Sequence, residues 1–427
     1  MTTRRAAATS IVLLIIVGAC APTSHVADRR FEKLPAVSAS AARLHGRVES
    51  PGGLRLLRLW GTPQERGYAH GFLLAEDIVA NLGQEFSSQF AQRPSMLEQA
   101  RSALPRLIDY PDDYDRELDA IWRGVVAAAP DLSMPAFGRD FDKTDLLVAN
   151  AMDVFGLMGC SSFTVWGDQV AGGGVLTARN FDWHVTGSHI IDQTMLIVQE
   201  HTDGRKVASF GWPGYIGTVS GVSADGVAAY LHVGSARASM PEPLSWPAAV
   251  AARKVLESRG EGDERLAAAQ RHIEYTSPPA GFLTHVVLPA APSSGVPAAL
   301  FEADARRCVA ADQQPGPFVV TNHFRARKDG VRAAADSLGR ERSLQLGIRG
   351  CVEVGDQCVD VSEAWRMLTD VARGGGSYFG TLHSLVFRHE PWCFEARIAE
   401  QRDGEVVAAP DSARRYRLTR AQVFGRR

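Results

Sequence analysis

The chain has 427 residues, 45% of them hydrophobic, enough for a large core and for more than one domain. Its formal net charge is only −2, and charged residues are mixed along its length. That excludes the basic surface of a nucleic-acid binder and an acidic interaction tail.

Arg4 and Arg5 precede an apolar run, Ile11 to Val17, and Gly18-Ala19-Cys20 follows. A short charged head, a short apolar segment and small residues predict an export signal over 1–20, too short for a comfortable membrane span. Val17-Gly18-Ala19-Cys20 resembles a bacterial lipobox, with Cys20 lipidated as the first mature residue. The Ala-, Ser- and Pro-rich stretch 21–45 then reads as a flexible tether. The expected location is outside the cytoplasm, facing the periplasm or cell exterior, with membrane attachment through the lipid alone.

Residues 46–60 alternate as strand, and Gly61 to Gly67 is a turn leading into a helix whose apolar positions run from Tyr68 to Leu82. Further helices are predicted over 96–108, 114–128 and 142–156. From residue 160 the period changes to two. Strands are predicted at 162–166, 175–181, 194–199, 207–212, 218–222 and 227–233, with Gly172-Gly173-Gly174 as a hairpin turn. Helices follow from Trp246-Pro247 to Glu257 and over 263–273. Strands return at 282–288, 297–301 and 318–320. A helix near 361–370 precedes strands at 383–387 and 393–398. The order implies α+β architecture, with a mostly helical N-terminal segment (46–159) and a sheet-rich segment (160–427).

Export bears on the cysteines, since an oxidising compartment favours pairing. Cys351 and Cys358 flank a short glycine-containing loop and are expected as a disulfide. Cys308 and Cys393 read as a second pair or as small buried residues. Either way Cys160 is left free. No His/Cys cluster has zinc-site spacing, so no metal is expected.

Gly159-Cys160-Ser161-Ser162-Phe163 puts a cysteine directly after glycine at the head of a strand. Only a thiolate attacks well. A cysteine that is itself an N-terminus carries its own base, because an α-amine with a pKa of about 7.8 suits general-base work. Cleavage at Gly159-Cys160 would expose that amine, and glycine leaves the carbonyl accessible to the thiol.

Six ordered segments carry a resemblance. They are Gly61 to Gly71 (GTPQERGYAHG), Gly159 to Phe163, Ala178-Arg179-Asn180-Phe181-Asp182-Trp183, Thr321-Asn322-His323-Phe324, and Ser337-Leu338-Gly339-Arg340 with Thr381-Leu382-His383-Ser384. Together they resemble the acyl-coenzyme A:6-aminopenicillanate acyltransferase family of cysteine N-terminal-nucleophile (Ntn) hydrolases. The resemblance implies a four-layer αββα sandwich, self-cleavage at Gly159-Cys160 and no cofactor. It implies Cys160 as nucleophile, Arg179 holding the thiolate, Asp182 orienting the amine, Asn322 donating to the oxyanion, and Arg340 or Arg342 as a second arginine, Arg340 being favoured. On one strand, Arg179 and Asp182 point to opposite faces unless the backbone bulges. An asparagine common in relatives is missing near Tyr230-Leu231-His232-Val233, so His232 or a nearby amide is the replacement donor. Trp183, Trp212 and Tyr215 read as an acyl pocket or as sheet-core aromatics. His184 and His189 read as pocket-wall or surface residues rather than a Cys-His dyad.

The expected reaction is hydrolysis of a linear amide in a small acyl amide. Alternatives are acyl transfer to an amine, ester hydrolysis, and an inactive binding lipoprotein of the same fold. After cleavage the two fragments are expected to stay together as a heterodimer.

Overall fold

The computed structural model describes residues 45–425, except 91, 152–157, 186–188, 235–244, 277, 279–280, 312–316, 328–330, 355–356 and 375–378. The predicted signal, Cys20 and all of the tether but His45 lie outside the described residues.

The N-terminal part holds β1 (Gly46–Glu49), β2 (Leu56–Gly61) and helices α1 (Pro63–Leu73), α2 (Ala75–Phe90), α3 (Pro94–Leu107) and α4 (Asp112–Ala128). A small ribbon of β3 (Ser133–Met134) and β4 (Arg139–Asp140) precedes α5 (Lys143–Asn150). Next come β5 (Gly159–Trp166), β6 (Val175–His184), α6 (Ile190–Gln193), β7 (Met195–His201), β8 (Lys206–Gly211), β9 (Ser220–Ser223) and β10 (Ala228–Val233). Helices α7 (Ala248–Glu257) and α8 (Gly262–Glu274) lead to β11 (Phe282–Val287), β12 (Ala298–Ala303), β13 (Cys308–Ala311) and β14 (Phe318–Val320). The chain ends with α9 (Ala335–Arg349), α10 (Val361–Asp370), β15 (Phe379–Arg388), β16 (Cys393–Ile398), β17 (Glu400–Arg402), β18 (Glu405–Val407), β19 (Arg415–Arg417) and α11 (Arg420–Phe424).

Two sheets result. One has nine strands in the order β1-β2-β7-β8-β9-β10-β11-β12-β13, the other six in the order β14-β5-β6-β15-β16-β19. Pairing within both is antiparallel except between β2 and β7. β7 shows why the strands are apolar on both sides. Leu196 and Val198 enter the core between the sheets with Leu385, Phe387 and Phe394. Met195 and Ile197 enter a second core, with the helices of the N-terminal segment. A strand covered on both faces reads as a continuous hydrophobic run. Outside the nine-stranded sheet, Val255, Leu256 and Ile273 of α7 and α8 cover Ala229, Val286 and Phe301. Outside the six-stranded sheet, Leu344, Ile348, Trp365 and Leu368 of α9 and α10 cover Phe163, Leu176 and Ala178. The fold is the αββα sandwich.

The glycine-rich motif of residues 61–71 has a packing reason. A Cβ at Gly71 would stand 1.9 Å from the Ile121 carbonyl oxygen, and one at Gly67 2.3 Å from that of Glu117, so α1 lies directly on α4. A buried ionic cluster then ties α4 to the sheet-rich segment. Arg253 of α7 grips both Glu117 oxygens, at 3.0 and 2.8 Å, and reaches Glu257 at 2.8 Å. Tyr114 donates to Glu257 at 2.7 Å.

Three expectations need correction. The turn read over 61–67 is already helical from Pro63, and the single helix read beyond it to Leu82 is two, α1 and α2, parted at Leu74, where the backbone leaves the helical region (φ −123°, ψ 24°). Helix α9 was not predicted, because its buried stripe, Ser337, Arg340, Leu344 and Ile348, is half polar. The Cys351–Cys358 disulfide is not formed, and none exists among the described cysteines. The Cys351 thiol is buried with Leu344, Ile348 and Leu368, with Arg366 Nη2 3.4 Å from its sulfur.

Candidate active site

β5 runs inside the six-stranded sheet, between β14 and β6. Its register sets the site. Cys160 lies opposite Phe181 and Ser162 opposite Arg179 on β6, while Ser162 lies opposite Val320 on β14. Asn322, two residues past Val320, is thereby carried back to Cys160. Cys160 N–H donates to Asn322 Oδ1 at 2.9 Å.

Arg179 and Asp182 do face opposite ways, and β6 needs no bulge between them. The register shift lies on the neighbouring strand, between Thr381 and His383. Arg179 points between the sheets and is fully buried. Its Nη2 lies 3.1 Å from Cys160 Sγ and donates to Leu231 O at 2.6 Å. Nε reaches Ser220 Oγ at 3.2 Å, and Nη1 contacts His232 Nε2 at 2.8 Å. Asp182 stands on the other face, against Gly159. Its Oδ1 accepts from Thr381 Oγ1 at 2.8 Å, and Arg373 Nε lies 3.3 Å from Oδ2. The Gly159–Cys160 peptide therefore runs between an arginine on one face and a carboxylate on the other. A Cβ on Gly159 would sit 2.9 Å from Asp182 Oδ2, so only glycine fits without displacement.

Arg340 of α9 completes the group. It donates to the Cys160 carbonyl oxygen and, at 2.7 Å, to Asn322 Oδ1. Arg342 is exposed. Asp336 contacts both Arg340 and Arg373. Sequence reasoning missed Asp336 and Arg373. The i,i+4 spacing of Asp336 and Arg340 signals a helical ion pair, but nothing in the sequence brings Arg373 to Asp182.

Burial pushes the Cys160 thiol above its ordinary range, Arg179 pulls it down, and the Asp182 charge raises it again. In the continuous chain the thiol is held protonated, 3.4 Å from the Leu231 carbonyl that accepts from it. His232 is held neutral by burial and by Arg179. Because Arg179 only donates, His232 Nε2 accepts, which assigns the ring proton to Nδ1. Ser162 Oγ lies 2.9 Å from the same Nε2. His232 thus fixes the arginine, and its Nε2 has no proton for an oxyanion. Asn322 is turned the same way, its amide nitrogen donating to Val233 O at 2.9 Å while its oxygen faces Cys160.

Trp183, Trp212, Phe181, Val219 and Met158, which share an apolar cluster with Cys160, line a narrow pocket of about 50 Å³ together with Tyr215. Phe181 stacks on Trp183 at 6.0 Å, and Trp212 meets Tyr215 edge-on at 5.2 Å. The loop carrying Trp212 and Tyr215 is pinned from the N-terminal segment. His70 Nε2 accepts from Gly214 N at 2.9 Å, and Asn150 bonds Gly214 O and Ile216 N at 2.8 Å each. His184, from the end of β6, meets Glu85 of α2. His189 is exposed at the start of α6, and Cys20 lies outside the described residues.

Among curated proteins, an uncharacterized protein of Archaeoglobus fulgidus is 23% identical over 237 residues, 49% of this chain and 38% of that protein. The chain thus spans well under half the length of that relative. Among solved structures, a mutant of the conjugated bile acid hydrolase of Clostridium perfringens superposes with a TM-score of 0.42 at 12% identity, covering 61% of this chain and 96% of that one. A Caenorhabditis elegans N-acylethanolamine-hydrolyzing acid amidase ortholog gives 0.39 at 15%, covering 53% and 92%. Penicillin V acylase from Agrobacterium tumefaciens gives 0.37 at 16%, covering 56% and 83%. Scores this low carry no weight for activity. The decisive match is to a family, over residues 170–403, more than half of the chain. The protein belongs to the acyl-coenzyme A:6-aminopenicillanic acid acyl-transferase family.

Proposed function

We propose that this protein cuts its own chain at Gly159-Cys160 and then hydrolyses acyl amides with Cys160 as an N-terminal nucleophile. The observation that carries the reading is the buried Cys160 sulfur 3.1 Å from Arg179, with its backbone nitrogen on Asn322 and its preceding residue against Asp182.

In processing, the thiol sulfur adds to the Gly159 carbonyl carbon and the Gly159–Cys160 C–N bond breaks. The nitrogen takes up a proton and becomes the Cys160 α-amine, leaving a Gly159 thioester. Water then releases the Gly159 carboxylate and restores the thiol. Departure of Gly159 frees the space beside Asp182, whose Oδ2 has no hydrogen bond. That oxygen becomes an acceptor for the new ammonium. The amine takes the thiol proton during attack on substrate and returns it to the leaving amine. Asn322 turns its amide nitrogen to the oxyanion once Cys160 N–H becomes a free amine. Such a donor contributes about 3–4 kcal/mol in the transition state.

Gly159 is the first acyl group the thiol meets, and Met158, its neighbour, lines the pocket. The substrate's acyl group takes the place these residues vacate. Acyl transfer to an amine is the alternative, supported by the family's own description. Export and anchoring through lipidated Cys20 complete the proposal, supported by the signal-like pattern of residues 1–20.

The test is intact mass under denaturing conditions, beside Cys160→Ala. The expected result is two fragments from the native chain, one beginning at Cys160, and one uncut chain from the variant. A lipid-sized mass increment on the fragment beginning at Cys20 tests the anchor. Uncut chains from both proteins overturn the nucleophile and favour the inactive binding protein. Product analysis with an added acceptor amine then separates hydrolysis from transfer.

A further inference from the structure

We propose that the pocket beside Cys160 selects an acyl group bearing a protonated amine, and that Glu85 of the N-terminal segment recognises it. This rests on the reading of Cys160 as an acyl-accepting nucleophile.

The pocket walls are aromatic and aliphatic, chiefly Phe86, Phe181, Trp183 and Ile190. Three polar groups break that wall. Glu85 is 7% exposed and lines the pocket. Its Oε1 is crowded, accepting from Trp183 Nε1 at 3.2 Å and Gln89 Nε2 at 2.8 Å and meeting His184 Nε2. Its Oε2 receives no hydrogen bond from any described residue. Asn81, one turn earlier on α2 and 3% exposed, lines the same pocket, and its side-chain amide makes no hydrogen bond among the described residues. Trp212 Nε1 is buried there without an acceptor.

Buried polar groups are normally hydrogen-bonded, and one left without a partner is destabilising. Trp212 Nε1 is such a group among the described residues, and Glu85 and Asn81 line the same pocket with polar atoms that a ligand can reach. A plain hydrocarbon acyl chain would seal all three off from water unsatisfied. The two oxygens, Glu85 Oε2 and Asn81 Oδ1, suit a cationic donor. An N⁺–H···O⁻ bond is roughly twice as strong as a neutral one, and an apolar wall strengthens it further. The Trp212 N–H is left for an oxygen atom of the substrate. Glu85 and Asn81 both precede the cleavage site, so the N-terminal fragment supplies selectivity to the catalytic one.

The experiment uses the processed protein and three p-nitroanilides: phenylacetyl, α-hydroxyphenylacetyl and α-aminophenylacetyl, at a pH where the amine is protonated. The expected kcat/KM is highest for the amino compound, by about tenfold over phenylacetyl, with that ratio falling toward one in Glu85→Gln. Asn81→Leu, read the same way, serves if Glu85→Gln does not fold or process. Equal turnover of the phenylacetyl compound, an equal rate for the hydroxyl compound, or an unchanged ratio in a processed variant overturns the proposal. If none of the three is cleaved, the activity reading is in question instead. Quenching of tryptophan fluorescence then decides the pocket, because Trp183 and Trp212 line it. Tighter binding of α-aminophenylacetate than of phenylacetate supports the amine site, and equal or weaker binding overturns it.

Discussion

Gly159→Ala should slow self-processing by about 10–100-fold. The added Cβ would stand 2.9 Å from Asp182 Oδ2, 3.2 Å from its Cβ and 3.5 Å from its Cγ. Asp182 has little freedom to retreat, since Thr381 Oγ1 holds one oxygen at 2.8 Å and Arg373 flanks the other. Overpacking of this kind costs about 1–3 kcal/mol. The movable partner is the strand end, so the strain displaces the Gly159 carbonyl from the sulfur, and a misplacement of about 1 Å costs about 100-fold in rate. The assay is a time course of intact mass after refolding, with the fraction beginning at Cys160 as readout. Residue 159 is absent from the mature catalytic chain's N-terminus, so turnover per processed chain should match the parent. Processing at the parental rate or faster would refute the reasoning, because release of ground-state strain would then outweigh displacement.

Two further outcomes follow from the same geometry. Arg179→Lys should raise the pH midpoint of Cys160 alkylation by iodoacetamide and lower kcat/KM by at least about tenfold, since a single ammonium cannot replace the fork that meets Cys160, His232 and Leu231. An unchanged midpoint would show that Arg179 does not hold the thiolate. Acid should part the two processed chains. His70 is held neutral by burial and titrates at about 4, against an ordinary 6.5. Burial raises Glu117, but Arg253 and Arg66 prevail and bring it to about 2, against an ordinary 4.5. In both cases the separated, unfolded chains bind more protons, so stability is complete above about pH 6.5 and is lost as pH falls, first through His70 and then toward 2 through Glu117. Glu117→Gln should weaken association by about 1–3 kcal/mol, because the contact of Arg253 with α4 loses its charge while Arg253 keeps Glu257, read as earlier chain separation in size-exclusion chromatography across a pH series. Association that does not respond to either change would count against this lock.

Much of the site was legible because the segments that carry the family resemblance hold its residues. β14, β16 and α10 match their predicted bounds, and the quoted segments hold Cys160, Arg179, Asp182, Asn322 and Arg340, which the structure gathers within one site. What the sequence hides is the support. Arg373 follows α10 and Asp336 lies on α9, and only packing of those helices on the six-stranded sheet joins them to Asp182. The faces of Arg179 and Asp182 looked like a conflict because the pattern describes one strand at a time. The peptide bond of the neighbouring strand, passing between them, resolves it. Glu85 was illegible for a different reason. It follows Ile78 and Leu82 on the buried stripe of α2, yet a glutamate there reads as the edge of a solvated face.

The location of the proposed cut explains how a severed chain keeps an ordered nucleophile. The bond lies at the very start of β5, which pairs with β6 from Gly159 to Trp166 and with β14 from Ser162 to Thr164. Cleavage at that point removes no ladder partner from Ser161 onward, so the new terminus stays registered against Phe181 and beside Asn322. The N-terminal segment is equally committed, because β2 is hydrogen-bonded to β7 and Leu57 and Leu59 share a core with Met195 and Ile197. It also clamps the pocket loop through His70 and Asn150. A segment that were only a removable inhibitor would lie on the surface of the catalytic part. This one supplies two strands of a sheet and a wall of the pocket, so its loss would cost the enzyme its substrate site as well as its stability. Self-processing here is therefore best understood as the freeing of one amine inside a structure that otherwise does not change.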